Sequence, residues 1–282
     1  MSMEIRYGKT RVLFFRLAKR SAPPFAASVD IDVFGERFTS SYTEGDNREV
    51  VATDTMKNFI YATASDFSGT SLEAYVAFLG RQLLTTYPQM ERIRVTAREV
   101  PLDPGHDVHG GSDVVFRMTR DDAAIAHADF RRDGSAIAIS DARSGIERMR
   151  LLKTTGSSFA SFARDGYTTL PELADRPLTI RMDVHWRYTD VRDATGEGKG
   201  HVAAEIVRRA VELCYHDFNS RSIQELVHEM GQRMLKGFPS LGAVEFSAEN
   251  HTPDMVAEGK GDVRVFAEPR QTFGKIGLVL RR

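Results

Sequence analysis

Apolar residues recur along two stretches of the chain with the spacing of an amphipathic helix. They stand at i, i+3, i+4, i+7 and i+11 in each stretch, and the second stretch begins 151 positions after the first. Its members are Leu72, Tyr75, Val76, Leu79 and Leu83, and then Ile223, Leu226, Val227, Met230 and Met234. This spacing gathers the apolar side chains on one face of a helix. Each stretch therefore predicts a long helix that packs against a core.

The same offset continues beyond the helices. An aromatic-proline pair follows each of them, at 87–88 and at 238–239, and proline ends a helix because it cannot continue the hydrogen-bond ladder. Apolar and polar residues then alternate with the period of a half-buried strand. The alternating apolar residues are Ile93, Val95 and Ala97, and then Val244, Phe246 and Ala248. At the start of the first helix, Thr70 and Glu73 have the spacing of a capping box.

A shorter helix is predicted before each long one, and two strands before each helix pair. The short helices lie at about 54–65 and 202–215, and the strands at 11–17 and 28–33, and again at 149–153 and 178–184. Each half of the chain thus has the order ββααββ. This order favours an α+β fold in which an antiparallel sheet carries helices on one face. We expect two duplicated units, residues 1–142 and 143–282, with the boundary between 140 and 145.

Charge and cysteine content exclude several classes of function. The 282 residues contain 38 Lys and Arg against 39 Asp and Glu, a net charge of −1, so no overall field attracts nucleic acid. No apolar run approaches the ~20 residues of a membrane helix. A single cysteine, Cys214, excludes an internal disulfide and a zinc site built from several thiolates, and it suits a reducing compartment. We therefore expect a cytoplasmic protein that needs neither nucleic acid nor membrane.

Three candidate motifs are weak. His106 and His109 lie in a glycine-flanked loop without the regular spacing of further metal ligands, so we expect no metal. The glycines and lysine of 196–200 lack the order and the preceding strand of a phosphate loop, and a flexible loop is the simpler interpretation. Cys214 has the surroundings of a buried structural thiol.

Two other segments carry polar residues that folding alone does not require. The first, residues 151–176, is a long connection that offers aromatic rings and arginines, and long connections in compact domains are usually functional. The second, residues 45–55, runs into a helix start, where Thr53 or Asp54 would serve as an N-cap. A capping role alone would explain both of these residues.

These segments carry a resemblance to a known family. The matching residues, in chain order, are Tyr7-Gly8-Lys9, Gly45-Asp46-Asn47, Val50 to Asn58, Leu152 to Phe159, Asp165 to Leu170, and Asp175-Arg176. Together they resemble the motifs of urate oxidase, the cofactor-independent uricase family, and the resemblance extends to about Asn250. It implies the tunnelling fold (T-fold), with two tandem ββααββ units per chain and four chains in a barrel. This agrees with the duplication inferred from the offset.

The resemblance also implies a substrate site. Phe159 would stack on the flat purine ring, and Arg176 would place a fork of donors against one edge of urate. Gln224 would meet the opposite edge with a donor and an acceptor, and Ile223 would contribute its backbone N–H. Asn250 would sit over the ring, where O2 or its water substitute binds.

A proton relay is implied as well. Lys9 and Thr53 would belong to it, and Thr53 and Asp54 would meet the five-membered ring of urate from a neighbouring subunit. The homotetramer would therefore share its active sites between chains. A lysine at the N-terminus is more often a solvated charge, and it is the family motif around Lys9 that favours the functional interpretation.

One position departs from the family pattern. Many members have a histidine two residues after the asparagine, whereas this chain has Asn250-His251-Thr252. Adjacent residues of a strand point to opposite faces, so His251 cannot simply replace that histidine. Either Thr252 acts with a water molecule, or a local bulge turns His251 inward. The third member of the relay stays unassigned.

The resemblance implies oxidation of urate by O2 to 5-hydroxyisourate and H2O2, without a cofactor and with O2 as co-substrate. The alternative is a purine- or pterin-binding T-fold relative that has lost or redirected this chemistry, which the Thr252 departure makes conceivable. A metal-dependent T-fold enzyme acting on pterins would need a Cys/His cluster that the sequence does not offer. Loss of urate in the presence of a chelator distinguishes these possibilities.

Overall fold

The computed structural model of the chain describes residues 3–18, 23–267 and 271–282. The chain forms two compact units, one of residues 1–145 with 187–201 and the other of residues 146–186 with 202–282. The division at residue 142 stays a prediction of the domain boundary.

The first unit is an antiparallel sheet with two long helices. Its elements are β1 (Arg6–Arg16), β2 (Phe25–Phe34), α1 (Thr39–Thr43), α2 (Thr53–Asp66), α3 (Leu72–Thr86), β3 (Arg92–Glu99), β4 (Asp103–Asp107), β5 (Gly110–Arg117), β6 (Ala123–Asp133) and the beginning of β7 (Ala136–Lys153). The sheet order is β1-β2-β3-β6-β7. Strands β4 and β5 form a separate antiparallel hairpin.

The second unit repeats this arrangement. It contains the end of β7, then β8 (Leu178–Tyr188), α4 (Ala204–Asp217), α5 (Ile223–Gly237), β9 (Leu241–His251), β10 (Met255–Glu258), β11 (Arg264–Phe266) and β12 (Gly274–Arg281). The sheet order is β7-β8-β9-β12, and β10 and β11 form a small hairpin between β9 and β12. Helices α4 and α5 begin 151 positions after α2 and α3 and have the same lengths. The predicted ββααββ order and α+β class are confirmed.

The two predicted apolar stripes are the buried faces of α3 and α5. Each helix is capped by a serine, because Ser71 accepts the N–H of Ala74 at 3.2 Å and Ser222 accepts the N–H of Glu225 at 3.1 Å. The expected Thr70–Glu73 capping box is therefore wrong by one position. Glu73 is instead buried, and its Oε2 atom is 3.3 Å from Nε2 of His201, which belongs to the same unit.

The weak motifs have structural roles. Cys214 is buried, and burial raises the pKa of its thiol to about 11. Residues 196–200 are tied down: the N–H of Gly200 donates to Asp193 at 2.8 Å, and Glu197 pairs with Arg81 of α3. The flexibility expected of this loop stays a prediction. Across residues 3–18, 23–267 and 271–282, no helix has the length and apolar character needed to cross a membrane.

Candidate active site

The connection between β7 and β8 is irregular, but hydrogen bonds fix its course. Phe159 exchanges backbone hydrogen bonds of 2.9 and 3.0 Å with Leu173, and the N–H of Arg176 donates to the carbonyl of Ser157 at 2.8 Å. Asp175 accepts the backbone N–H of Gly156 at 2.7 Å. These contacts hold Phe159 and Arg176 in defined positions on one loop.

Arg176 is a buried cation whose fork of donors is only partly satisfied by the described residues. Only 7% of the residue is exposed, and its Nε atom has no hydrogen-bond partner within the described residues. Burial lowers the pKa of the guanidinium, and no carboxylate in the described part of the chain opposes that shift. A buried charge is costly unless it is paired and hydrogen-bonded. The arrangement therefore suits a ligand with acceptor atoms.

An aromatic platform lies beside this guanidinium. The Arg176 Cζ atom is 5.5 Å from the centroid of the Phe159 ring. The ring of Phe162 stacks on Phe159 with centroids 4.9 Å apart and an interplanar angle of 12°. Phe159 remains half-buried. The sequence interpretation missed Phe162, although the spacing of two phenylalanines in one polar loop was a signal for it.

Thr252 connects Arg176 with Asn250, the residue near the end of β9. The Thr252 Oγ1 atom is 3.5 Å from Nη1 of Arg176 and 3.2 Å from Oδ1 of Asn250. The three side chains therefore form one polar row. No pattern in the sequence indicated the contact between Thr252 and Arg176.

His251 points away from this row. Its Nε2 atom is 3.1 Å from Oε2 of Glu249, on the strand face opposite Asn250. The pairing of β9 with β12 stays regular here, with Asn250 opposite Gly274 and Glu249 opposite Lys275. The possibility that a bulge turns His251 inward is therefore wrong.

The start of α5 lies alongside the Phe159 loop. Ser220 accepts the N–H of Ser158 at 2.8 Å and donates its own N–H to Gly156 at 3.3 Å. Ile223 and Gln224 are the first two residues of the helix, where backbone N–H groups have no acceptor within the helix. The Ile223 side chain is buried and that of Gln224 is exposed, so this end offers N–H donors and an amide.

The other predicted site residues lie in the first unit. Lys9 is on β1, and Thr53 and Asp54 open α2, which packs against β1. The N-cap of α2 is Ala52, without a side-chain hydrogen bond, so the capping interpretation of Thr53 and Asp54 is wrong. Neither residue caps the helix.

Asp54 lies in a cluster of positive charge. It accepts hydrogen bonds from Lys57 Nζ at 2.5 Å and from Asn58 Nδ2 at 3.1 Å. Lys57, with a smaller contribution from the charge of Lys9, lowers the pKa of Asp54. Lys9 and Asp54 are therefore near enough to interact electrostatically.

The predicted residues thus fall into two groups. Phe159, Arg176, Ile223, Gln224 and Asn250 belong to the second unit, and Lys9, Thr53 and Asp54 belong to the first. The group in the second unit offers a stacking surface and donors for a flat polar ligand. The group in the first unit offers an amine, a hydroxyl and a carboxylate, which are groups that can transfer protons.

Known proteins resemble this chain in both sequence and fold. A family model described as Uricase matches residues 5–113 and 142–277. The uricase of Haloferax volcanii is 40% identical over 259 residues, and that of Halalkalicoccus jeotgali 39% over 256, covering 89% of this chain and 84% of each relative.

Solved structures extend the likeness to the fold of the whole chain. A urate oxidase from Bacillus sp. TB-90 superposes with a TM-score of 0.93 at 32% identity, covering 99% of this chain and all of the other. A uricase from Bacillus fastidious gives a TM-score of 0.92 at 34% identity, covering 100% and 94% of the two chains.

Proposed function

This chain belongs to the uricase family, and from that premise we propose that it is a urate oxidase, which converts urate and O2 to 5-hydroxyisourate and H2O2 in purine degradation. The relatives from Halalkalicoccus jeotgali and Haloferax volcanii are both named uricases. They do not favour the alternative of a binding protein that has lost or redirected this chemistry.

The observation that carries the proposal is the Arg176 guanidinium beside the Phe159 ring, whose buried Nε atom has no hydrogen-bond partner within the described residues. Urate is flat and presents a carbonyl oxygen next to a ring nitrogen on one edge. A planar fork of donors matches that edge, and a ring face matches its plane. Gln224 and the backbone N–H of Ile223 would bind the opposite edge, and Asn250 would face O2 above the ring.

Lys9 and Thr53 would carry out the proton transfer. Removing a second proton from urate makes it electron-rich enough to pass electrons to O2 one at a time, which avoids the spin barrier to a direct two-electron step. Two electrons leave urate and reduce O2 to H2O2, and a water molecule supplies the new hydroxyl group. In this scheme the Lys9 amine accepts a proton through the Thr53 hydroxyl, and Asp54 binds the five-membered ring.

No cofactor takes part in the proposed reaction, because the deprotonated substrate is itself the reductant. The described residues contain no group of three or more His, Cys, Asp or Glu side chains that could hold a metal ion. His106, expected in a loop, lies in β4, and His109 lies in the turn before β5; both are outside the two groups of site residues.

We also propose that the protein is a homotetramer with active sites shared between subunits. The residues of the second unit proposed to stack on urate or to donate to it include none that we expect to transfer a proton. The residues proposed for proton transfer, Lys9 and Thr53, belong to the first unit. One chain would bring Lys9, Thr53 and Asp54, and its neighbour would bring Phe159, Arg176 and Gln224.

The test is oxidation of urate by purified protein after exhaustive chelation. Loss of urate absorbance, consumption of O2 and formation of H2O2 should proceed in equal molar amounts. Replacing Arg176 with Ala should abolish most of this activity, whereas replacing Arg209, an exposed arginine of α4, should not.

Two results would contradict the proposal. Activity that disappears on chelation and returns with one particular metal would refute the cofactor-free reaction. Tight binding of urate without consumption of O2 would instead support the binding-protein alternative.

A further inference from the structure

Strand β1 contains a bulge directly after Lys9. Lys9 is opposite Ile31 of β2, but Val12 is already opposite Val29, so the register shifts between these positions. Within the bulge, Arg11 has a φ of 56°. This left-handed conformation is unfavourable for residues other than glycine.

The bulge decides which face of the sheet Lys9 occupies. Opposed residues of an antiparallel pair share a face, and Ile31 and Val29 are both fully buried in the core under the helices. Lys9 and Val12 therefore both point toward the helices. In a regular strand, two residues three positions apart would point to opposite faces. The inserted residue thus turns Lys9 to the side on which α2 packs.

Asp30 holds this bulge from the neighbouring strand. Its Oδ1 atom accepts the backbone N–H of Arg11 at 2.7 Å, and its Oδ2 atom accepts Nη1 of Arg98 at 2.8 Å. The carboxylate therefore satisfies the N–H that the bulge removes from the ladder, and the ion pair with Arg98 fixes the carboxylate.

The second unit repeats the device with a different residue at the key position. Arg148 has a φ of 64°, and its N–H donates to Asp183 Oδ1 at 2.8 Å. Ile146 and Met149, three positions apart, are both buried. Ile146 thus occupies the place that Lys9 has in the first unit. The second unit thus has an apolar side chain at this place, whereas the first unit has a lysine.

We propose that Asp30 is a positioning residue for proton transfer, because it stabilises the Arg11 bulge that turns Lys9 toward the start of α2. The inference rests on the proposed function, in which Lys9 transfers a proton. Asp30 acts through the backbone: Asp30 and Lys9 lie on opposite faces of the sheet, since Asp30 is adjacent to Ile31 on β2.

The experiment compares Asp30→Ala with Asp183→Ala, which weakens the equivalent bulge of the second unit. Asp30→Ala should lower kcat by about 10- to 100-fold, because a small displacement of a catalytic group is costly. The affinity for xanthine, a purine that resembles urate, should stay within about twofold. Asp183→Ala should leave kcat within about threefold of the parent.

Rescue by glycine separates positioning from general damage. Glycine adopts a left-handed φ without strain, so Arg11→Gly in the Asp30→Ala background should recover most of the lost kcat. If Asp30→Ala alone does not fold, kcat of this double variant is the measurement that tests the inference. A folded double variant with kcat as low as that of Lys9→Met would overturn the inference.

The outcome for Lys9 itself distinguishes this inference from the proposed function. If Lys9→Met keeps its kcat, the proton-transfer role fails and the inference falls with it. If Lys9→Met loses kcat while Asp30→Ala behaves like Asp183→Ala, the role of Lys9 stands and the positioning role of Asp30 is refuted.

Discussion

Thr252 donates a hydrogen bond to Oδ1 of Asn250, with 3.2 Å between the oxygen atoms. The direction of this bond follows from Arg176, whose Nη1 atom is 3.5 Å from the same hydroxyl. A guanidinium can only donate, so the Thr252 oxygen accepts and its single proton is left for Asn250. The amide of Asn250 must then present its oxygen to Thr252, and its NH2 group is available to donate to a ligand.

Replacing Thr252 with Val should therefore weaken the reaction without changing its proton relay. A neutral hydrogen bond contributes about 0.5–1.5 kcal/mol, so we expect kcat/KM for urate to fall about two- to tenfold. Thr252→Ser, which keeps the hydroxyl, should remain close to the parent. Steady-state kinetics on the two variants provide the measurement.

The pH profile distinguishes this positioning role from the alternative in which Thr252 and a water molecule complete the relay. If Thr252 only orients Asn250, the profile of Thr252→Val keeps its shape at a lower level. Loss of one limb of the profile in Thr252→Val, but not in Thr252→Ser, would assign Thr252 to the relay.

Periodic patterns allowed the helices and the duplication to be predicted, but not the details of the site. The stripe beginning at Leu72 identified α3 because side-chain spacing determines which face is buried. The face of Lys9 could not be predicted, because one inserted residue reverses the alternation of a strand. The contact between Arg176 and Thr252 joins two irregular segments 76 positions apart, where no period exists. The capping role expected for Thr53 failed because the N-cap of α2 is Ala52, which has no side-chain acceptor.

Binding and proton transfer should separate between Arg176 and Lys9. Arg176→Ala removes charged donors from one edge of urate, and the loss of a charge-assisted hydrogen bond costs about 1.5–3 kcal/mol. The affinity for xanthine should therefore fall about 10- to 100-fold. Lys9→Met should preserve that affinity and lower kcat by about 100-fold or more, as is typical for general acid–base groups. Equal losses of xanthine affinity in both variants would contradict this division, and calorimetry measures it directly.

The pair of His201 and Glu73 should make stability depend on pH. The His201 Nε2 atom is 3.3 Å from a buried Glu73 oxygen, and this carboxylate raises the pKa of His201. The folded protein then binds more protons than the unfolded chain above the ordinary histidine pKa of about 6.5. The stabilisation is complete below that pH and is lost as pH rises through the folded pKa.

Urea unfolding at a series of pH values measures this effect. His201→Gln should remove the part of the decline in unfolding free energy that begins above pH ~6.5. His109→Gln, at an exposed histidine beside the β4–β5 hairpin, is the matched control and should keep the parental decline. Parallel curves for the parent and His201→Gln would show that the pair does not couple protonation to folding.

The shared site can be tested by mixing two inactive chains. Lys9→Met and Arg176→Ala should each be weakly active alone, because every site in either assembly lacks one essential group. Co-refolding should create some sites that combine an intact Lys9 from one chain with an intact Arg176 from its neighbour. Activity should then rise well above the sum of the two parents, and mass spectrometry of the intact assemblies verifies that mixed oligomers have formed. A mixture of Lys9→Met with Asp183→Ala controls for refolding yield, since Asp183 is outside both groups of site residues. If mixed oligomers form and activity stays at the parental average, Lys9 and Arg176 act within the same chain, and the proposal of shared sites is refuted.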